Sequence, residues 1–167
     1  VFQLGWLIAV LAAARGSALL ATLAPLGVVA VHLLQVPDRA SALRLIGAAA
    51  VAGLVGETVL IVLGLTHYAA HVPLATAAPS WVIALWMAFG TLPNVALRWF
   101  RSHLVLTAML GAIFGPLTYL GGERLGAGHI GSPFWLGIAG VALMWAIAAP
   151  LLMILAARWD TQSEQAA

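Results

Sequence analysis

The sequence contains no cysteine and no lysine, and charged residues of either sign are few. Of its 167 residues, 7% are charged and 63% are hydrophobic. A soluble domain has about 25% charged and about 45–50% apolar residues, so this composition excludes a soluble enzyme. The absence of cysteine excludes disulfides, thiolate metal sites and a cysteine nucleophile. A net charge of only +2 excludes a basic surface for nucleic acid.

Long apolar runs take the place of the missing charges. The mean hydropathy is +1.07, and a bilayer core about 30 Å thick needs roughly 20 apolar residues per helix. We therefore predict an all-α fold, a polytopic transmembrane helical bundle that forms one domain over residues 1–167. The predicted spans, about six, cover approximately residues 1–14, 18–36, 42–66, 81–97, 102–120 and 132–157.

The arginines are distributed unevenly between the two ends of the predicted spans. Membrane proteins concentrate arginine and lysine on the cytoplasmic side. With six spans, the larger group of arginines falls on the side of both chain termini, so we expect both termini to be cytoplasmic. The larger group is Arg39, Arg44, Arg98, Arg101 and Arg158, and the smaller is Arg15 and Arg124.

Glu57 is an acidic residue in the middle of the third predicted span. An acid at the centre of a membrane helix costs roughly 2.5–3.5 kcal/mol on insertion scales, so such a residue is a functional candidate. One interpretation makes Glu57 a proton-transfer group, the candidate catalytic residue, or a polar anchor for a ligand. The other makes it a structural hydrogen bond between helices.

Asn94 and Arg98 form a second candidate group in the fourth predicted span. Residues four apart share one face of a helix, and arginine pairs well with phosphate or carboxylate. The pair could therefore bind a lipid headgroup near the cytoplasmic interface. Alternatively, Arg98 extends to the interface while Asn94 bridges two helices.

His32 and Tyr119 are further ligand-binding candidates within predicted spans. His32 contacts a ligand or serves as a hydrogen-bonded histidine between helices. Tyr119 donates to Glu57, donates to a ligand, or packs at a helix interface. Upstream of Tyr119, Gly111 and Gly115 form a GxxxG motif, which predicts close approach of another helix.

The histidine spacing argues against a metal or haem site. His67 and His71 are four residues apart, which would suit a metal on a helix, but Pro73 follows and no third ligand is near in sequence. We therefore expect no metal and no cofactor. The sequence also contains no phosphate-binding loop, nucleophile elbow, zinc-protease motif or dinucleotide fingerprint.

Several different short motifs follow one another along nearly the whole chain. They lie at residues 2–6, 13–16, 56–57, 81–86, 94–99, 110–119 and 122–127. In this order the chain resembles the bacterial membrane-protein family of domain of unknown function 2878. Genes of that family tend to lie near those of enzymes that modify unsaturated fatty acyl chains. The resemblance implies a bacterial inner-membrane protein with a lipid-related role. The matching polar positions are Gln3, Arg15, Glu57, Asn94, Arg98 and Tyr119.

Three functions follow from these observations. The first is binding, or helping to process, an apolar lipid-like molecule within the bundle. Glu57 would then supply a proton or a polar contact deep in the bundle, and Asn94 and Arg98 would bind the headgroup. The ligand-binding candidates are Glu57, Asn94, Arg98, Tyr119, Gln3 and His32. The second is a non-enzymatic accessory subunit of a larger membrane protein complex. The third is the substrate-binding component of a small-molecule transporter. The expected partners are a membrane lipid or other apolar ligand and membrane proteins, not nucleic acid.

Overall fold

A computed structural model describes residues 1–70 and 76–166, with the side chains of 161–166 left aside. Within these residues the chain forms six α-helices, one short 3-10 helix and a two-stranded ribbon. The helices are α1 (Phe2–Ala14), α2 (Ala18–Gln35), α3 (Arg39–Val62), α4 (Ser80–Phe89), α5 (Leu104–Arg124) and α6 (Phe134–Ala166). The 3-10 helix is Arg98–Ser102, and the strands are β1 (Thr66–Tyr68) and β2 (Gly128–Ile130).

The all-α class predicted from composition is confirmed. Four helices, α2, α3, α5 and α6, are long and apolar enough to cross a membrane. The helices α1 and α4 are apolar but shorter. At 1.5 Å per residue, the ten residues of α4 rise about 15 Å, roughly half of a bilayer core.

The fourth predicted span is wrong in its second half. Helix α4 ends at Phe89, and residues 90–97 form turns. The Thr91 hydroxyl donates to the Ala88 carbonyl at 2.7 Å, which provides a local alternative to the next helical bond. Pro93 lacks the N–H that would continue the helix and disfavours helical backbone at Leu92.

Other helix ends shift for similar local reasons. Helix α3 begins at Arg39, where the Asp38 side chain accepts from the backbone N–H groups of Ala40 and Ser41, both at 3.1 Å. It ends at Val62, and Thr66, predicted within the same span, starts β1. Helix α5 continues past residue 120 to Arg124, and α6 extends beyond residue 157.

The six helices are arranged as an open ring. Helix α1 packs on α2, α2 on α4, α4 on α3, α3 on α6, and α6 on α5. In the part of the chain that the structure describes, α1 and α5 do not pack along their length, although they are the two free edges of the ring. The two helices approach through Trp6, whose ring lies near the Gly121 backbone.

The two ends of the bundle differ in structure. The ribbon end carries β1 and β2, which pair antiparallel with Thr66 opposite Ile130 and His67 opposite His129. The loop end carries the turns of residues 90–97 and the 3-10 helix. At the loop end, Arg101 donates to Asn94 at 3.2 Å and to Asp160 at 2.9 Å. These bonds tie the connection between α4 and α5 to helix α6.

Candidate functional site

A cavity of about 530 Å³ lies inside the open ring. Its walls come from α1, α4, α5, α6 and the ribbon, and its lining is mostly apolar and aromatic. Its loop-end half is bordered by Phe89, Leu97, Phe100, Leu110 and Met153. Pockets for small organic ligands have a similar size, about 300–1,000 Å³, and a similar apolar lining with few polar groups.

Glu57 lies at the wall of this cavity and is completely buried (0% exposed). Three side chains from three other elements donate hydrogen bonds to its carboxylate. Tyr68 of β1 donates to Oε2 at 2.5 Å, and the Trp86 indole of α4 donates to Oε1 at 2.8 Å. The Tyr119 hydroxyl of α5 also donates to Oε1. We call these four residues the Glu57 cluster.

Two glycines allow tryptophan rings to pack closely against helices α3 and α5. Gly53 lies one helical turn before Glu57 on the same face of α3, and a Cβ there would meet the Trp86 ring at 2.2 Å. A Cβ at Gly115 would meet the Trp145 ring at 2.5 Å. The absence of side chains at both positions lets Trp86 and Trp145 lie against the helix backbones.

The two tryptophans stack at the centre of the bundle. The ring centroids of Trp86 and Trp145 are 4.4 Å apart, with 17° between the ring planes. Phe89 packs edge-on against Trp145 at 5.0 Å. The GxxxG motif is thereby confirmed as a packing motif, because a Cβ at Gly111 would also meet the Trp145 backbone at 2.7 Å.

The side chains that donate hydrogen bonds to Glu57 are two tyrosines and a tryptophan, which are neutral donors. In the described residues, no ion pair includes Glu57. Burial, and then the nearby Glu57 carboxylate, raise the pKa of the Tyr68 phenol well above its ordinary value. Tyr68 therefore keeps its proton and remains a hydrogen-bond donor. The Tyr68 and Tyr119 side chains line the cavity, so a ligand meets them before it reaches the carboxylate.

The structure brings together three of the residues singled out from the sequence. Tyr119 donates to Glu57, and both line the cavity. Gln3 of α1 lines the same cavity and is exposed. His32 of α2 is half-buried and does not border the cavity.

Asn94 and Arg98 do not share a helix face, contrary to the prediction. Asn94 lies in the turns after α4, and Arg98 starts the 3-10 helix. The Arg98 side chain is 66% exposed and reaches Asp160 at 3.4 Å. Arg101, rather than Arg98, binds Asn94, so the predicted headgroup pair serves the loop end and does not border the cavity.

Sequence reasoning missed Tyr68 and Trp86 as partners of Glu57. Tyr68 lies between the third and fourth predicted spans, and Trp86 is an apolar residue inside the fourth. The available signal was Gly53, a small residue one turn from a buried acid, which leaves space for a large ring. The identity of that ring depends on how α4 packs on α3.

At the ribbon end, His67 and His129 stack with centroids 4.5 Å apart. Both border the cavity, as does Glu123, whose carboxylate accepts from the Ile130 N–H at 3.3 Å. His71, the other histidine of the i, i+4 pair, lies outside the described residues. Among residues 1–70 and 76–160, no group of three or more potential ligands is placed to hold a metal ion.

The chain is similar to a protein family along most of its length. The family model described as "Protein of unknown function (DUF2878)" matches residues 1–151. No curated protein and no solved structure matches the chain. Because the matched segment covers nearly all of the 167 residues, the chain belongs to the DUF2878 family.

Proposed function

We propose that this protein is embedded in a membrane and binds an apolar, lipid-like molecule in the cavity of its helix bundle. The observation that carries the proposal is the cavity itself, about 530 Å³ with a mostly apolar lining. A closely packed bundle has few voids larger than a water molecule. The size of the cavity therefore supports the presence of a bound molecule.

Most polar groups of the cavity lie in its ribbon-end half. The Glu57 cluster contributes two phenols and a fully buried carboxylate there, whereas the loop-end half is lined mainly by aromatic and aliphatic side chains. Few polar groups in an apolar pocket are what orients a bound ligand. A ligand with a long apolar body and one polar group fits this distribution.

Glu57 acts on such a ligand through the tyrosines. Because its side chain is completely buried, it orients the Tyr68 and Tyr119 hydroxyls that border the cavity. Glu57 is therefore a positioning residue in this proposal, and the tyrosines are the contacts. A reaction that moves a proton through the same hydrogen bonds would make the protein a lipid-processing enzyme.

The test fills the cavity without disturbing the bundle. A Cβ at Gly122 of α5 would meet no atom within 4 Å, and Gly122 borders the cavity. Gly122→Phe therefore places a ring in the open space. Gly27→Phe on α2 is the matched control, because Gly27 is also helical and unobstructed but does not border the cavity.

Native mass spectrometry with lipid extraction compares the gently purified wild type with both variants. We expect a defined apolar molecule on the wild type and Gly27→Phe, and at least a tenfold lower occupancy on Gly122→Phe. Bulk lipid alone on all three proteins would overturn the proposal. A partner protein that co-purifies at fixed stoichiometry, with no ligand, would favour the accessory-subunit function. A bound water-soluble molecule would favour the transporter function.

A further inference from the structure

We propose that the cleft between α1 and α5 is a lateral entrance through which an acyl chain of a bilayer phospholipid enters the cavity. This inference rests on the proposed function and adds the source of the ligand and its route. Three observations carry it: the open ring, the residues at the rim of the cleft, and the continuity of the cavity with an exposed apolar surface.

On one side of the cavity the flanking helices α1 and α5 do not pack along their length, and the Trp6 ring of α1 lies near the Gly121 backbone of α5. Each consecutive pair around the ring packs directly, from α1 through α2, α4, α3 and α6 to α5. Between α1 and α5 the described residues show no comparable packing beyond the approach of Trp6 to Gly121, and residues of both helices line the cavity. An opening at this position faces sideways, parallel to a membrane plane, because both helices run along the bundle.

The rim residues show that the cavity reaches the surface here. Gln3 of α1, together with Phe114 and Thr118 of α5, borders the cavity and is also exposed. The Phe114 ring is 57% exposed. Phe114 and Thr118 are four residues apart and so lie on one face of α5. We call these three residues the cleft rim.

The surface outside the cleft rim is apolar. Leu4 and Ile8 of α1 and Ile113 and Leu117 of α5 are exposed. Such apolar side chains are more stable in contact with lipid tails than with water. The opening therefore leads from the cavity to hydrocarbon, and an apolar chain can enter without crossing water. A water-soluble ligand would instead need a polar passage at one end of the bundle.

The distribution of polar groups gives the direction of the bound chain. At the loop end, the Thr107 hydroxyl donates to the backbone carbonyls of Phe100 and His103 and is therefore already hydrogen-bonded. The ribbon end presents His67, Glu123 and His129 to the cavity. The tail of the lipid therefore occupies the loop-end half, and its polar end points to the ribbon.

The experiment closes the cleft reversibly and measures lipid exchange. The chain has no cysteine, so the double variant Gln3→Cys/Thr118→Cys provides the two thiols needed for a cleavable bifunctional thiol reagent with a flexible spacer. A photoreactive benzoylphenylalanine replaces Leu110, which borders the cavity. In a separate control it replaces Leu143, a 63% exposed residue of α6. Each protein is reconstituted into vesicles of chain-deuterated phosphatidylcholine after purification.

We expect the Leu110 probe to capture a deuterated acyl chain in protein that is reconstituted without crosslinking. Protein that is crosslinked before reconstitution should capture at least tenfold less, and cleavage of the reagent should restore the original amount. The Leu143 probe should capture lipid equally in all three states. Equal capture by the Leu110 probe in open and crosslinked protein would overturn the lateral entrance while leaving the binding function intact. No lipid adduct at Leu110 in any state would instead count against the binding function itself.

A second variant tests the cleft without a crosslink. Thr118→Trp narrows the cleft rim, whereas Leu117→Trp places the same ring on the neighbouring exposed position that does not border the cavity. We expect slower deuterated-lipid uptake at the Leu110 probe for Thr118→Trp alone. Equal uptake by the two variants would contradict the proposed route.

Discussion

The Glu57 cluster concentrates the polar interactions of this bundle on one buried carboxylate. Its three donors come from β1, α4 and α5, and Glu57 itself belongs to α3. A buried polar network is stabilising only when every member is satisfied. A single side chain therefore links four elements, and removing it leaves three donors without their acceptor.

Replacing Glu57 should separate the loss of the hydrogen-bond acceptor from the change of a carboxyl group to an amide. A buried donor without a partner costs about 1–3 kcal/mol, so Glu57→Leu should lower the free energy of unfolding by several kcal/mol. Glu57→Gln should cost about 1 kcal/mol, because its carbonyl can still accept from Trp86 and Tyr119. Chemical unfolding in detergent, followed by tryptophan fluorescence, measures both variants. Equal stability of Glu57→Leu and the wild type would show that the cluster does not stabilise the fold.

At the scale of helices, small residues decide which surfaces can meet. Gly53 receives Trp86 on α3, and Gly111 and Gly115 receive Trp145 on α5. The result is one continuous aromatic contact that joins α3, α4, α5 and α6 through the stacked tryptophans. The same contact places the Trp86 N–H on Glu57.

Alanine at these glycines should destabilise the bundle although alanine favours helix. Gly53→Ala and Gly115→Ala would place a methyl group 2.2 Å and 2.5 Å from the tryptophan rings, and overpacking costs about 1–3 kcal/mol. At Gly47 of α3, a Cβ would meet nothing within 4 Å, so Gly47→Ala should be neutral or stabilise by up to about 1 kcal/mol. Thermal unfolding of the three variants measures the difference. A loss of the same size at Gly47 would refute the packing argument.

The loop end offers a matched pair of arginines. The Arg101 side chain is 12% exposed and binds both Asn94 and Asp160, whereas the Arg98 side chain is 66% exposed. Exposed ion pairs contribute about 0–1 kcal/mol, so Arg98→Ala should have little effect. Arg101→Ala should speed deuterium exchange in the connection between α4 and α5. Unchanged exchange in both variants would show that Asn94 and Asp160 do not hold this connection.

For the whole molecule, the sequence predicts the class better than the architecture. Long apolar runs in the sequence indicate helices that are stable in lipid. Glu57 stands out in the sequence because it is an acid inside such a run. Hydropathy does not show where a helix ends. The apolar residues after Phe89 therefore extend the fourth predicted span to residue 97, although the helix ends before Pro93. The partnership of Tyr68 with Glu57 depends on a ribbon that pairs residues 66–68 with 128–130. Such long-range pairing leaves no periodic trace in the sequence.

The arrangement of the arginines at the two ends of the bundle predicts its orientation in the membrane. Arg39 begins α3 at the loop end, and Arg98 and Arg101 also lie there, whereas Arg124 ends α5 at the ribbon end. The cytoplasmic side carries the excess of arginine, so we expect a cytoplasmic loop end. The chain has no cysteine of its own, and the wild type is therefore an unlabelled control. In intact cells, a membrane-impermeant maleimide should label Ser132→Cys at the ribbon end, but should label Val95→Cys at the loop end only after lysis. The opposite labelling pattern would reverse the orientation, and labelling of both variants in intact cells would mean that the helices between these positions do not cross the membrane.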